Sequence, residues 1–438
     1  GVNNLVISNN NLSQVVTGIT VGEKPRPPEE IALNQISIRN NIIQAERTGI
    51  IFYENSYTTI SIKSNELLIS AADSTTGISI DFSTDVILQN TVIKGNDITG
   101  GEIGIGITNN TDVGISGNVL TGDVNGSSTF GIFISNGSEA FISNNSIINF
   151  LTGISLNMVS NPVIVENSIS AINLTVEPYS GILSVSSNGQ IRKNTIQHHL
   201  NGIELGSSSP SVGANTITGN KRYGIYISDN SHPNLSEQFV GSDQYPLSGY
   251  NTIRENGICN FDPGYTEFYL NNSYVNLEKG CNTIADDRGG PISCGNYLLI
   301  DGRESDKEIM ATGNYWGEVN GADPTGRFSQ SLTINYEGWL TEPCTYSEGE
   351  SALLLSNSKG EVYDTIYSTG KTPSELTDIE TRYAAANEYY YNNQYSQAKQ
   401  EYEGIIQNYG NSKESLTAYS RLFTLANLMN IPPASFNQ

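Results

Sequence analysis

The feature that most constrains this chain is a short pattern that returns along most of its length. Between Thr152 and Ile227 it reads Gly153-Ile154-x-Leu156, Ile164-x-x-Asn167-x-Ile169, Gly181-Ile182 and Ile191-x-x-Asn194-x-Ile196, then Gly202-Ile203-x-Leu205, Val212-x-x-Asn215-x-Ile217 and Gly224-Ile225-x-Ile227. The asparagine half recurs at Asn10, Asn41, Asn65, Asn96, Asn118, Asn145, Asn167, Asn194 and Asn215. The glycine half interleaves at Gly18, Gly49, Gly77, Gly104, Gly131, Gly153, Gly181, Gly202 and Gly224. Asparagine steps run from 21 residues (Asn194 to Asn215) to 31 (Asn10 to Asn41). Such a step is too long for a hairpin and too short for a strand-helix-strand crossover. Self-similarity at this period marks a solenoid, in which each coil contacts only its neighbours.

The pattern predicts an all-β chain, a right-handed parallel β-helix with three short strands per coil. Longer steps carry loop insertions, such as residues 23–30. Alternation in Ile225-Tyr226-Ile227 points both isoleucines inward and Tyr226 outward. Stacked coils then align Ile and Leu in axial columns. Asn at one fixed turn position stacks its amide on the next coil's, satisfying donor and acceptor at a buried bend. Gly before Ile suits either an unusual φ or a close approach of backbone.

Charge narrows the partners. Twenty-two basic against 45 acidic residues give a net charge of −23. Such a surface repels nucleic acid and anionic polymers and favours cations. Calcium is the metal that this acidity suits, although no Asp-x-Asp-x-Asp loop is present. The three histidines, His198, His199 and His232, read as exposed loop residues rather than ligands, so no metal site and no other cofactor is expected. No run approaches the ~20 apolar residues of a membrane span. The sequons, including Asn144-Asn-Ser, arise freely in an Asn- and Ser-rich repeat, and Asn144 is expected to face inward. Cys259, Cys281, Cys294 and Cys344 cluster in one segment without CxxC spacing, which fits one or two disulfides in an oxidising compartment. With Gly1 already inside a repeat, the chain reads as a piece of something longer that is exported to the cell surface or beyond.

After Ile227 the repeat loosens. Asn251-Thr-Ile253 and Cys281-Asn282-Thr-Ile284 echo it, so Ser231 to Tyr250 and Cys259 to Gly280 are expected to be loops standing off one side. Gly313-Asn-Tyr-Trp-Gly317, Ala322-Asp-Pro324 and Ile334-Asn-Tyr336-Glu-Gly-Trp339-Leu340 break the texture and read as a cap over the last coil. Repeats with this ending resemble the secreted bacterial right-handed β-helix proteins of the pectate-lyase-like superfamily, most closely their non-enzymatic repeat group. The resemblance covers residues 1–345 and speaks for fold more than activity. Residues 346–372 read as a linker or β-hairpin. In 373–438 the period turns helical, with Ala386, Tyr389, Ala398, Tyr402 and Ile405 at the spacings of a tetratricopeptide helix pair. One such repeat cannot bury its own face, so this tail is expected to pack on the rod or to dock another chain.

Lyases and hydrolases of the resembled superfamily work on the outward face of the Gly-Ile sheet. Its outward positions are Thr20, Ile51, Ser79, Gly106, Phe133, Ser155, Leu183, Glu204 and Tyr226, followed two residues on by Tyr53, Asp81, Thr108, Ser135, Asn157 and Ser228. None is basic, so the base of a lyase is missing, and Asp81 and Glu204 are too far apart along the stack to act as a hydrolase pair. Tyr53, Phe133 and Tyr226 offer faces for sugar rings, and Asp81 and Glu204 offer acceptors. The sequence therefore points to a non-catalytic structural or binding module with a glycan or protein partner. The alternative is a polysaccharide lyase or hydrolase that draws on Asp243, Asp262, Glu267 or Glu278 in the two long segments.

Overall fold

The computed structural model describes residues 4–22, 33–53, 57–70, 74–81, 91–109, 113–125, 128–137, 139–172, 174–239, 246–257, 266–285, 298–303, 308–317, 323–344 and 395–409, with residues 382, 386, 389 and 422. The chain divides into two compact units, Gly1–Gln238 with Pro246–Thr345, and Phe239–Tyr245 with Tyr346–Gln438.

The first unit is a parallel β-helix with three strands per coil. One coil runs Glu139–Ser143, Ser146–Ile148, Thr152–Asn157, and the next Asn161–Val165, Ser168–Ser170, Ser180–Val185. Each strand pairs in parallel with its successor, setting Ile142 on Ile164, Ile147 on Ile169 and Ile154 on Ile182. The strands before each repeat Asn form a nine-stranded sheet. The other two faces merge into one sheet of 20 strands because Asn11–Val21 and Ile42–Phe52 bend continuously through both. The isoleucine columns fill the interior, with Ile142, Ile154, Ile164, Ile169 and Ile182 at no exposure. Each contributes roughly 1.5–3 kcal/mol by burial.

The asparagines form an unbroken axial ladder through Asn10, Asn41, Asn65, Asn96, Asn118, Asn145, Asn167, Asn194 and Asn215, which continues through Asn251, Asn282 and Asn314. Each Nδ2 donates to the next Oδ1 at 2.8–3.0 Å. Each Asn backbone N–H donates to the same oxygen at 2.9–3.0 Å. The residue before every rung is left-handed, with φ between 51° and 64°. At Ser64, Glu166, Lys193, Ala214, Tyr250 and Cys281 that conformation falls on a residue other than Gly or Asn, at about 1–2 kcal/mol each. The paired amides hold it there. Asn144 also stands in the left-handed position before a rung and is exposed, the reverse of the inward orientation expected for it; Asn145 is the buried rung.

The repeat glycines answer to close approach. A Cβ on Gly181 would lie 2.2 Å from Ile196 Cγ2 and 2.7 Å from the Gly202 carbonyl, and Gly153 and Gly202 meet the same pair of obstacles one coil away. Any side chain there would push the coils apart.

Two further expectations are corrected, the first in the segment after Ile227. Its described parts are walls of the stack, not loops standing off it. Ser231 and Ser273 belong to a serine ladder in which the backbone N–H groups of Val159, Ser187, Ser208 and Ser231 donate to Oγ of Ser187, Ser208, Ser231 and Ser273 at 2.9–3.2 Å. Thr266–Asn271 is a strand aligned residue for residue with Tyr223–Ser228. The second correction is His199, which is 1% exposed; its ring Nδ1 lies 3.0 Å from the Gln197 carbonyl and burial lowers its pKa to about 4. His198 is exposed, as expected, and His232 lies edge-on to Tyr274.

At the end of the stack the cap residues share the repeat. Asn314 is the last ladder rung, while Trp316 is 1% exposed and packs edge-on against Phe328 at 5.0 Å. Phe328, Tyr336 and Trp339 extend that cluster. Cys281 is bonded to Cys344, which ties this terminal segment to the coil of Asn282; Cys259 and Cys294 lie outside the described residues.

In the second unit, the helix Tyr395–Tyr409 buries Ala398, Tyr402 and Ile405 with Ala386 and Leu422. The stretch 346–372 and most of the rest of 373–438 lie outside the described residues. Among the described residues no helix is long and apolar enough to cross a membrane.

Candidate functional site

Parallel register turns the outward positions of the Gly-Ile sheet into one column. Ser79, Gly106, Phe133, Ser155, Leu183, Glu204, Tyr226, Tyr269 and Asp301 succeed one another coil by coil. Three residues earlier on each strand, Ser180, Asn201, Tyr223 and Thr266 form a second column. Small side chains occupy much of the first half of the main column, and from Glu204 onward they become long and polar. There the surface forms a cleft of ≈440 Å³ lined by Tyr179, Leu200, Asn201, Glu204, Arg222, Tyr223, Tyr226, Tyr269 and Asn271.

Three tyrosines make its floor. Tyr226 and Tyr269 are nearly parallel at 7° with centroids 5.8 Å apart, and Tyr223 stacks on Tyr269 at 4.9 Å. The rings therefore pack against one another. The Arg222 guanidinium lies 4.9 Å from the Tyr223 ring centre. Burial pushes the Tyr223 hydroxyl up to about 12, and the arginine opposes that shift. Tyr223 therefore remains a neutral hydroxyl at all ordinary pH.

The polar wall is built on Glu204. Its Oε2 accepts from Ser180 Oγ and, at 2.9 Å, from Asn201 Nδ2. Because the carboxylate can only accept, that second bond fixes which way the Asn201 amide faces. Asn201 is 7% exposed and its Oδ1 is buried with no hydrogen-bond partner. A buried acceptor left unpaired costs about 1–3 kcal/mol.

Among the residues singled out by sequence, the structure brings together Glu204 and Tyr226, on adjacent coils. Phe133 stands three coils earlier against Phe130 at 5.2 Å. Tyr53 and Asp81 lie on still earlier coils. Of the carboxylates considered in the long segments, Glu278 is exposed and Glu267 is buried at 0%. Glu267 stands where the preceding coils have glycine, and its two oxygens accept from the N–H and Nδ2 of Asn256. It thereby ends a second amide ladder that runs from the His199 N–H through Asn220 and Asn256. Asp243 and Asp262 lie outside the described residues. Among the described residues no cluster of His, Cys, Asp or Glu is placed to hold a metal.

Tyr269, Asn201 and Asp301 escape the sequence reading. Tyr269 is hidden because Glu267 breaks the Gly-Ile signature, although Phe268-Tyr269-Leu270 keeps the alternation. The 31-residue step from Asn251 to Asn282 leaves room for that strand. Residues 76–240 match the family model described as right handed beta helix region, which takes in Glu204 and Tyr226 and stops before Tyr269. No curated protein and no solved structure matches the chain.

Proposed function

We propose that this β-helix is a glycan-binding module of an exported or cell-surface protein, and that its cleft at Asn201, Glu204, Tyr223, Tyr226 and Tyr269 is the binding site. The observation that carries the reading is a cleft that sets Tyr223, Tyr226 and Tyr269 beside the polar side chains of Asn201 and Glu204. A sugar brings hydroxyls for the polar groups and a flat apolar face for the rings. The Cys281–Cys344 bond supports an oxidising location. Retention rather than turnover is favoured by the spacing of the acids. Glu204 and Asp301 stand three coils apart, ~14 Å at the usual strand separation of ~4.8 Å, whereas paired-carboxylate hydrolysis uses roughly 5–9.5 Å.

The test is electrophoresis through gels containing neutral or uronic polysaccharides, with unsaturated products and new reducing ends followed in parallel. Retardation that Tyr269→Ala abolishes, without product, is the expected result. Product from any polymer that Glu204→Gln eliminates would replace this reading with the enzymatic one.

A further inference from the structure

The cleft crosses the coils obliquely, and its slant sets the length of glycan it takes, an inference that rests on the glycan reading above. Backbone hydrogen bonds place one edge of it. The Asn201 N–H donates to the Tyr179 carbonyl and the Arg222 N–H to the Leu200 carbonyl, so Tyr179, Leu200 and Arg222 stand in line on three successive coils. Further along the strands, Leu183, Glu204, Tyr226 and Tyr269 make the main column. The cleft does not cover these two lines evenly. On the first coil it takes in Tyr179 but not Leu183. On the two middle coils it spans both lines, from Leu200 to Glu204 and from Arg222 to Tyr226. On the last coil it holds Tyr269 and, two residues beyond, Asn271. The lining therefore shifts along the strands as it climbs the stack.

Both ends of this path are within reach of a ligand. Tyr179 is 57% exposed, and at the other end Tyr269 is half-buried and Asn271 exposed. The backbone under the exposed ring is fixed on both sides: the Tyr179 N–H donates to the Leu151 carbonyl at 2.7 Å, and its own carbonyl accepts from Asn201 at 2.9 Å. Tyr179 and Tyr269 are separated by three coils and by four residues along the strand. Steps of ~4.8 Å and ~3.3 Å put them ~20 Å apart, about the length of four linked sugar rings. A disaccharide reaches one end only.

We propose that the cleft takes an extended glycan chain rather than a single sugar or a disaccharide, laid obliquely from Tyr179 to Tyr269, and that Tyr179 is the residue that makes binding depend on chain length. The apolar face of one ring covers the exposed Tyr179 side chain, while the rings between lie over Leu200, Glu204 and Tyr226. Contact at one end raises the effective concentration of the chain at the other, so affinity climbs with length until both ends are engaged and then levels off.

The experiment is titration calorimetry on the full chain with gluco-, xylo-, manno- and galacturono-configured oligosaccharides, each as a series from disaccharide to octasaccharide. Wild type and Tyr179→Ala are compared after circular dichroism shows the same fold; Leu183→Ala, on the same coil and outside the cleft, is the control. At least one series should bind, with affinity rising about tenfold or more from disaccharide to pentasaccharide and little beyond the hexasaccharide. Tyr179→Ala should weaken hexasaccharide binding by about three- to tenfold and flatten the rise with length, and Leu183→Ala should do neither. A disaccharide that binds as tightly as the hexasaccharide, or hexasaccharide binding unmoved by Tyr179→Ala, would overturn this inference and leave the glycan-binding reading standing. No binding in any series would overturn both together.

Discussion

Replacing Asn167 by alanine tests what holds the coils together. Asn167 accepts at Oδ1 from the Asn145 N–H at 3.0 Å and from Asn145 Nδ2 at 2.9 Å. It donates through Nδ2 to Asn194 Oδ1 at 3.0 Å and to the carbonyls of Ile142 and Val165 at 2.9 and 3.1 Å. Truncation does not break all of this equally. Asn194 Oδ1 keeps the Asn167 backbone N–H, the Val165 carbonyl keeps the Asn144 N–H, and Asn145 Nδ2 keeps the Ile115 carbonyl. The Asn145 N–H, buried, loses its acceptor outright. An orphaned buried donor costs about 1–3 kcal/mol, and the weakened neighbours bring the expected loss to about 2–4 kcal/mol. Asn10 is the contrast, because it is exposed and only donates, to Asn41 Oδ1 and the Ser8 carbonyl. Asn10→Ala should cost about 0.5–1 kcal/mol. Urea denaturation followed by far-ultraviolet circular dichroism measures both, with an unchanged slope required for the comparison. Equal losses at the two positions, or a loss below about 1 kcal/mol at Asn167, would refute the argument. Asn167→Asp sharpens it: an acceptor-only group facing three oxygens should be worse than alanine at neutral pH and recover as acid protonates it.

Three other perturbations have definite outcomes. Gly181→Ala places a methyl 2.2 Å from Ile196 Cγ2 and 2.7 Å from a backbone carbonyl, and should lower stability by about 1–3 kcal/mol or more in the same urea assay; a neutral effect would show that the coils can separate freely. His199 is held neutral, with its pKa lowered from 6.5 to about 4 chiefly by burial, so the unfolded chain takes up its proton first as pH falls. Stability should drop by about 3 kcal/mol between pH about 6.5 and about 4, and His199→Gln should remove that part of the slope; identical pH profiles would disprove it. Reducing the Cys281–Cys344 bond, whose partners are 63 residues apart, should destabilise the terminal segment by about 4 kcal/mol, detected as earlier exposure of Trp316 by fluorescence on heating.

The sequence by itself determined the coil. Ile at alternate positions, Asn at one turn and Gly before Ile recur because each stacked coil repeats the same local environment. A periodic structure writes a periodic sequence. The asparagine ladder and the inward isoleucines were legible for that reason, as were the outward positions of Glu204 and Tyr226. The signal failed wherever a residue replaced its repeat equivalent. Glu267 stands in a glycine position and closes the second amide ladder, so the strand that carries Tyr269 looked like a loop. His199 looked exposed because a turn residue's burial depends on the Asn220 rung above it. The cleft belongs wholly to the tertiary structure. Tyr226 and Tyr269 are 43 residues apart in sequence and adjacent in the column, and Asn201 lost its acceptor's partner only when its nitrogen was fixed by Glu204. Local pattern dictates which way each side chain points, but only the stacking register decides which side chains meet.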